Sequence, residues 1–498
     1  MKAKLAKFRA YCGELMPHEP AYLAHIQQFA DADNLRILQQ VEELVARPDP
    51  HRELDASIDK RKYSRWMKWA QTKLSQIDVD RQFDWISQME RSLMTDAITP
   101  TEEKELLRAI KAARTSDYYF VKFYELAVQF RQFLLIRMRY KAHATVHQFL
   151  DDHQAAFERS REVFAQLHRV SQDITAQYSS QATESRQWEE WLNTMIQDES
   201  LDGLNRYMAI VRLTFIYMNY RQLHKQLALY DRIDGWMRQG MFYSRRILAN
   251  YYANRLTLHA QLGDLARAEQ FGYLAIKYKG SDYLLYVNKL SAILLRRHNQ
   301  PAAMELMRSA FPELRNSRNA HERVGFASFY IRCLIESGLP AEAEQYAESF
   351  LRGYSQEVMA HRWHLFFTSY LKALLVQEKS ASMLQLVNKH KLMNREHTYR
   401  HRPNYLPTLR WYVGWAQYHE GKLSQRRLIG QIQDSLKDLQ RSPRNIQLAK
   451  TLVDELKPFA PEIVGAIQWD ELLTLPKNKW GMDPIVELTH TLESQSTP

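Results

Sequence analysis

The stretch RRILANYYANRLTLHAQLGDLARAEQFGYLAIKYKG, residues 245–280, predicts two amphipathic helices joined by a sharp turn. Gly263 follows the last apolar residue of the first half, where a left-handed backbone conformation costs glycine little. Asp264 can then cap the free amides of the second helix. Apolar residues recur at three- and four-residue steps in both halves, which places them on one face of each helix. These residues are Leu248, Tyr251, Tyr252, Leu258, Leu262, Leu265, Ala268, Phe271, Ala275 and Tyr278.

The same turn signal returns along the chain at a nearly constant distance. The turns begin at positions 219, 263, 299, 338, 378 and 421, so the steps are 44, 36, 39, 40 and 43 residues. Pro301 and Pro340 stand in the first turn of a second helix, where proline is favoured. Periods of this length are typical of two-helix repeats that stack into a solenoid.

These hairpins resemble the tetratricopeptide-repeat (TPR) family. Gly263, Ala268 and Ala275 match the turn glycine and two small second-helix positions of that family. Partial matches are Gly338 with Ala343, and Gly414 with Gly421. The resemblance covers roughly residues 200 to 430. It implies a stack of hairpins with an extended inner face for binding.

The chain also departs from the TPR pattern. Leu256 stands where the family has a small residue, and Gly272 stands where it has an aromatic one. Every interval between turns also exceeds the family's repeat of about 34 residues. We therefore predict an all-α, TPR-like α-solenoid with an irregular N-terminal region of long helices and a C-terminal helical cap. The expected domains are residues 1–185, 186–430 and 431–498, with a polar linker near residues 179–185.

Composition limits the class of protein. The 498 residues include only 15 Gly and 16 Pro, which argues against a loop-rich or all-β fold. Cys12 and Cys333 are too few for a disulfide framework and fit a reducing cytosol. The first residues lack the apolar run of a secretory signal, and no run approaches a membrane span of about 20 residues. We expect a soluble, cytoplasmic protein with no membrane partner and no cofactor.

Two N-terminal segments raise functional alternatives. Residues 60–73 interleave cations with aromatic residues, as in surfaces that bind single-stranded nucleic acid. Tyr63 and Trp66 nevertheless fall at core-facing helical spacing, so we predict a structural role. His143, His147 and Asp151 follow one helix face, but the spacing supplies no further ligand, and we predict no metal site.

Residues 387–427 carry most of the chain's net charge of +11. Nine Lys and Arg residues against two Glu residues give this basic segment a charge of +7. It could bind nucleic acid or an acidic protein partner, and charge alone does not decide between them. The candidate nucleic-acid-binding residues are Lys389, Lys391, Arg395, Arg400, Arg402, Arg426 and Arg427.

No catalytic or nucleotide-binding motif was found in the sequence. We therefore expect a non-catalytic scaffold or adaptor that binds a peptide or protein on the concave face of the repeats. A nucleic-acid-binding protein that uses the basic segment is the alternative. Polar residues of the first helices would line the concave face. The candidates are Asn250, Asn254, Asn288, Arg332, Arg362 and Arg410.

Overall fold

The computed structural model describes residues 5–46, 54–55, 57–180, 184–400, 405–437 and 443–467. These residues form α-helices and one short 3₁₀ helix, with no strand among them, which confirms the all-α prediction. They belong to two compact units, Met1–Tyr283 and Leu284–Pro498. Within the described ranges, no helix is both long and apolar enough to cross a membrane.

Thirteen α-helices make up the first unit as far as it is described. They are α1 (Ala6–Glu14), α2 (His18–Ile26), α3 (Ala32–Ala46), α4 (Lys60–Ile77), α5 (Val79–Met94), α6 (Pro100–Ala112), α7 (Phe120–Ile136), α8 (Tyr140–Ser180), α9 (Glu189–Gln197), α10 (Gly203–Asn219), α11 (Leu223–Arg238), α12 (Arg245–Gln261) and α13 (Leu265–Ala275). The 3₁₀ helix, Arg186–Trp188, precedes α9.

Local sequence signals explain where several of these helices begin. Asp59 caps α4 by accepting a hydrogen bond from the Arg61 amide at 2.9 Å. Thr99 and Glu102 form a reciprocal capping box at the start of α6. Tyr63 and Trp66 are buried on α4, which confirms that these two aromatic residues belong to the core.

Helices α5 to α8 form a bundle with a continuous apolar core. Leu93 and Leu134 belong to this core near the ends of α5 and α7, and Val146 and Phe149 belong to it from the first part of α8. Further along, α8 packs against α10. There the Asn205 side-chain amide donates to the Ser160 carbonyl at 2.8 Å. The first part of the 41-residue α8 therefore packs within the α5–α8 bundle, and a later part packs against α10.

A buried carboxylate joins the N-terminal helices to the hairpin helices of the same unit. The side chain of Glu19, at the start of α2, is 0% exposed. It accepts hydrogen bonds from the Met16 amide at 2.6 Å, the Tyr243 hydroxyl at 2.6 Å and Arg245 Nε at 2.9 Å. Burial, followed by the charge of Glu19, raises the pKa of Tyr243 far above its ordinary value. Tyr243 therefore remains a hydrogen-bond donor to the carboxylate.

The neighbouring His18 makes a second set of polar contacts. Its Nδ1 lies 2.6 Å from the Tyr252 hydroxyl on α12, and its Nε2 lies 3.0 Å from Asp234 Oδ1 on α11. Burial alone would raise the pKa of Asp234, but hydrogen bonds from His18 and Arg238 lower it below its ordinary value. His18 and Glu19, two consecutive residues of α2, thus make hydrogen bonds to both α11 and α12.

The second unit consists of twelve α-helices in its described part. They are α14 (Tyr283–Arg296), α15 (Gln300–Ser309), α16 (Phe311–Asn316), α17 (Ala320–Glu336), α18 (Pro340–Ala360), α19 (Trp363–Val376), α20 (Ser380–Lys389), α21 (Leu392–Tyr399), α22 (Thr408–His419), α23 (Gln425–Lys437), α24 (Pro443–Leu456) and α25 (Pro461–Gly465).

Helical hairpins in the second unit repeat one set of contacts. The first helices α17, α19 and α22 pack in succession, α17 on α19 and α19 on α22. Each second helix also packs against the first helix that follows it, as in the pairs α15 with α17, α18 with α19 and α20 with α22. Buried Ala327, Ala373 and Ala416 on the first helices are small enough for close approach.

The six predicted turns each join two helices. Gly263, Gly338 and Gly421 adopt positive φ angles, as a left-handed turn position requires. Asp264 and Asn299 accept hydrogen bonds from backbone amides of the helices they precede. In the hairpin of α12 and α13, the prediction that Leu262 faces the core is wrong. Leu262 is exposed because α12 ends at Gln261, just before it.

We expect the substitution Glu19→Ala to lower the free energy of opening of α2 by about 3 kcal/mol. The change leaves Arg245 and Tyr243 without their shared acceptor, and breaking a buried ion pair costs about 3–5 kcal/mol, less for a partly exposed partner. Native-state hydrogen exchange of α2 and α12 measures this opening. Glu14→Ala, an exposed change on α1, is the control and should alter it by less than about 0.5 kcal/mol. Equal protection in the two variants would contradict the role of Glu19.

Candidate functional site

A buried asparagine with an unpaired side chain marks the candidate site of the second unit. Asn288 on α14 is 2% exposed, and among the described residues neither its Oδ1 nor its Nδ2 has a hydrogen-bond partner. Such a group is uncommon, because a buried amide that loses its hydrogen bonds with water is destabilising unless a partner replaces them. Asn288 therefore retains a free donor and a free acceptor.

Gly325 brings Asn288 and Arg362 to the same place. A methyl group at Gly325, on α17, would lie 2.7 Å from Arg362 Nη1 and 3.4 Å from Asn288 Nδ2. The missing side chain thus leaves room for the guanidinium beside the amide. Three successive first helices meet here, since Asn288 belongs to α14, Gly325 to α17, and Arg362 stands directly before α19.

The backbone of Arg362 is unusual for a residue with a side chain. Its φ of 49° and ψ of 27° lie in the left-handed region, which is uncommon outside glycine. The side chain donates from Nε to His321 Nε2 at 2.7 Å. Burial lowers the pKa of Arg362, and the nearby charge of Glu322 opposes that shift. The guanidinium is thus partly desolvated and partly balanced by an acidic neighbour.

His321 must be neutral at Nε2 to accept this hydrogen bond. Partial burial, followed by the charges of Arg362 and His361, lowers the pKa of His321 below its ordinary value of 6.5. Below pH 6.5, a His321 ring that has separated from Arg362 therefore binds a proton more readily than the ring that is held in this site. Acid conditions consequently favour separation of His321 from Arg362.

A second set of polar contacts joins α17 and α19. Arg332 on α17 donates from Nε to the Ser369 hydroxyl on α19 at 3.1 Å. One turn further along both helices, Lys372 lies 3.0 Å from a Glu336 carboxylate oxygen and 3.1 Å from one of Glu455. Arg332 is seven residues beyond Gly325 on α17, which corresponds to about 10 Å. Arg332 and Arg362 therefore stand on the same helix pair at different levels.

Arg410 belongs to a third polar group at the start of α22. It lies close to Tyr405, whose hydroxyl donates to Glu396 Oε1 at 2.7 Å. His364 Nε2 lies 3.3 Å from the other oxygen of the same carboxylate. Burial, followed by the charge of Glu396, raises the pKa of Tyr405 well above its ordinary value.

Asn250 and Asn254 belong to the first unit, on α12. Asn254 Nδ2 donates to Asn250 Oδ1 at 2.9 Å, one helical turn away, and both residues are partly buried. The six predicted partner-binding residues therefore divide between the units. Two lie on α12, and the other four lie on or beside first helices of the second unit.

The basic segment is distributed over several elements around α22. This helix packs against α20, α21 and α23. Arg395 donates to the Met359 carbonyl at 3.2 Å, and Arg400 Nε is buried without a hydrogen-bond partner in the part of the chain that the structure describes. Arg402 lies outside the described residues. The exposed cations of the candidate set are Lys389, Lys391, Arg395, Arg426 and Arg427.

The histidine pair of α8 is spread along the helix surface. The rings of His143 and His147 are 6.0 Å apart, and His147 Nε2 lies 3.5 Å from Asp151 Oδ2. In the described part of the chain, no group of three His, Cys, Asp or Glu side chains has the geometry to hold a metal ion.

Sequence reasoning missed His321 and Gly325, which position Arg362. The i to i+4 spacing from His321 to Gly325 places both on one face of α17, and this spacing was the available signal. Comparison with known proteins adds no assignment, because no family model matches the chain and no curated protein matches it significantly.

We expect Arg362→Gln to raise the pKa of His321 toward its ordinary value. The change removes the nearby positive charge and retains a side chain of similar reach, while burial still acts on the ring. Titration of ¹³C-labelled histidine by NMR measures the pKa, and His321→Asn identifies the signal. Arg352→Gln, an exposed change on α18, is the control and should leave the titration unchanged. An unshifted His321 in Arg362→Gln would contradict the described contact.

Proposed function

We propose that this chain is a non-catalytic scaffold that holds a peptide or protein segment against the first helices of a TPR-like stack. The observation that carries the proposal is the unpaired, buried amide of Asn288 beside the guanidinium of Arg362. Under this proposal, both groups stand on or beside the first helices that line the binding face of the stack. Their chemistry is that of recognition, since neither is a nucleophile or a proton-transfer group at neutral pH.

The contacts between hairpins support a stacked arrangement for the second unit. The first helices α17, α19 and α22 pack in succession, and the second helices α15, α18 and α20 each pack on the first helix that follows. In a solenoid, a repeat touches only its neighbours, and the successive first helices then line one extended surface. Under this proposal, α14, α17, α19 and α22 provide that surface.

The polar groups on these helices suit an extended peptide. A side-chain amide with both atoms free can donate to a peptide carbonyl and accept from a peptide N–H. Arg362 and Arg332 can add charge-assisted hydrogen bonds to carbonyl or carboxylate oxygens, which are stronger than neutral ones. Because Asn288 is buried and Arg362 is only partly buried, a partner reaches the guanidinium first.

We expect Arg362→Glu combined with Arg410→Glu to reduce capture of the partner by at least about tenfold, as replacement of central interface arginines does. The full-length chain is used as bait in extracts of its source cell, and the captured proteins are identified by mass spectrometry. Nuclease-treated and untreated extracts are compared. A partner that survives nuclease and is lost with the double variant supports the proposal.

The matched control is Arg352→Glu, which makes the same charge change at an exposed position on α18. Circular dichroism and thermal melting check the fold of each variant. If the double charge reversal disturbs folding, Arg362→Gln with Arg410→Gln replaces it, because glutamine introduces no repulsion with Glu396 or Glu322. Capture that is unchanged in a folded double variant would overturn the proposal.

The alternative function is nucleic-acid binding through the basic segment. One observation favours it: Lys389, Lys391, Arg426 and Arg427 are exposed, and among the described residues no carboxylate pairs with them. Free cations of this kind can contact phosphates and release their condensed counterions, which makes the affinity fall steeply with salt.

For this alternative we expect Lys389→Glu combined with Arg426→Glu to weaken RNA or DNA binding. Two lost phosphate contacts would reduce the slope of log K against log salt concentration by about 1.4 on a single strand, at about 0.7 for each contact. Fluorescence anisotropy with a single-stranded oligonucleotide measures both quantities, and Arg352→Glu is again the control. Association that does not respond to salt, or no association with either nucleic acid, would count against this function.

A further inference from the structure

The turn between α7 and α8 exposes seven consecutive residues, LIRMRYK at positions 135–141. The four most exposed large apolar side chains among the described residues, Met94, Ile136, Met138 and Tyr140, all belong to this end of the bundle. Their exposures range from 64% to 74%. Leu135 is a fifth exposed apolar residue there. A cluster of exposed apolar side chains on a protein surface marks an interaction site, because contact between apolar side chains and water is unfavourable.

The α5–α6 turn and the α7–α8 turn lie side by side at this end. Arg137 Nη2 is 3.0 Å from Asp96 Oδ1, which joins the two turns. Asp96 and Met138 both have positive φ angles, so each chain reverses tightly. Leu93 and Leu134 lie in the bundle core directly before the exposed residues. The apolar side chains are thus presented on a fixed support, which we call the bundle tip (residues 94–96 and 135–141).

Cations alternate with apolar residues in the bundle tip. Arg137, Arg139 and Lys141 occupy every second position between Ile136, Met138 and Tyr140. Arg137 is paired with Asp96, and Arg139 lies at the longer distance of 3.9 Å from Glu103. The carboxylate of Glu102 is engaged with Thr99 in the capping box. Lys141 is exposed, and no described carboxylate pairs with it.

We propose that the bundle tip docks on the surface of an anionic lipid bilayer. Apolar side chains would enter the boundary between headgroups and acyl chains, while arginine and lysine contact lipid phosphates and carboxylates. Binding of this kind grows with buried apolar area and with attraction to anionic lipids. Tyr140 suits this boundary because its ring is apolar and its hydroxyl is polar. The association is peripheral, and it departs from the sequence expectation that the chain has no membrane partner.

The geometry favours a lipid phase over a protein partner. The exposed side chains project from two tight turns, and a protein would need a complementary surface for each of them. Lipids adapt to any projecting shape. The regular alternation of apolar and basic residues also fits an interface in which apolar groups go inward and long cationic side chains extend back to the headgroups.

The test uses the full-length chain and vesicles of phosphatidylcholine, with or without phosphatidylserine. We expect the wild type to co-sediment with the phosphatidylserine vesicles and more weakly with the neutral ones. Ile136→Ser combined with Met138→Ser should weaken binding by about tenfold or more, the ratio expected when a large apolar side chain leaves an apolar phase. Lys141→Glu should reduce the preference for phosphatidylserine.

Phe164→Ser is the matched control. Phe164 is an exposed apolar residue on the same helix, 24 positions or about 36 Å beyond Tyr140. Its replacement should leave vesicle binding unchanged. Circular dichroism verifies that each variant is folded.

A second measurement avoids large changes at the tip. Ile136→Cys allows attachment of a dye whose emission shifts to shorter wavelength in an apolar environment. Cys12 and Cys333 are buried, and burial raises the pKa of Cys12 to about 12 and that of Cys333 to about 11, so both thiols react slowly. We expect the emission shift with phosphatidylserine vesicles and none in buffer.

Three results would overturn the proposal. The first is no co-sedimentation and no emission shift with phosphatidylserine vesicles. The second is the same loss of binding in Phe164→Ser as in the tip variant. The third is self-association of the wild type in analytical ultracentrifugation that the tip variant abolishes, without vesicle binding, which would make the tip an interface between copies. None of these results depends on Arg362 or Asn288, so the proposed scaffold function is tested separately.

Discussion

The packing of the first unit depends on the buried carboxylate of Glu19. Burying the carboxylate of Glu19 is costly in free energy unless hydrogen bonds replace those of water, and three donors do so. Two of these donors, Tyr243 and Arg245, are more than 220 residues away in sequence. Burial of this carboxylate therefore requires the native position of the start of α12. His18 adds the same requirement for α11, so the packing of the N-terminal helices and that of the hairpin helices depend on each other.

Local structure was predictable because its causes are local. A glycine after the last apolar residue, an Asp or Asn cap and a proline in the first turn each act within a few residues. These signals gave the six turns, each of which joins two helices in the structure. The contacts of Glu19 were not predictable in this way. Its partners are set by tertiary packing, and no periodic pattern links the segment around His18 and Glu19 to residues 234–252.

The candidate site illustrates both cases. Asn288 and Arg362 were chosen because they are polar and belong to first helices, and they do approach the same point in the second unit. Gly325 has no local signature, since it stands inside α17 and forms no turn. The role of Gly325 depends on tertiary packing, because the guanidinium of Arg362 lies beside the space that a side chain at position 325 would fill. The bundle tip was missed for a related reason. Met138 takes a positive φ that sequence patterns assign to glycine or asparagine, so no turn signal marks this segment in the sequence.

The length of α8 has a mechanical consequence. Val146 and Phe149 lie in the core of the α5–α8 bundle, whereas Ser160 and Leu167 receive hydrogen bonds from α10. One uninterrupted helix thus separates the start of α8 from the α10 contact by about 30 Å, or 20 residues at the usual rise. Such a helix acts as a strut. A load applied at Tyr140 is carried axially to α10 instead of being absorbed by a flexible joint, so whatever anchors one end also sets the distance and the direction of the other.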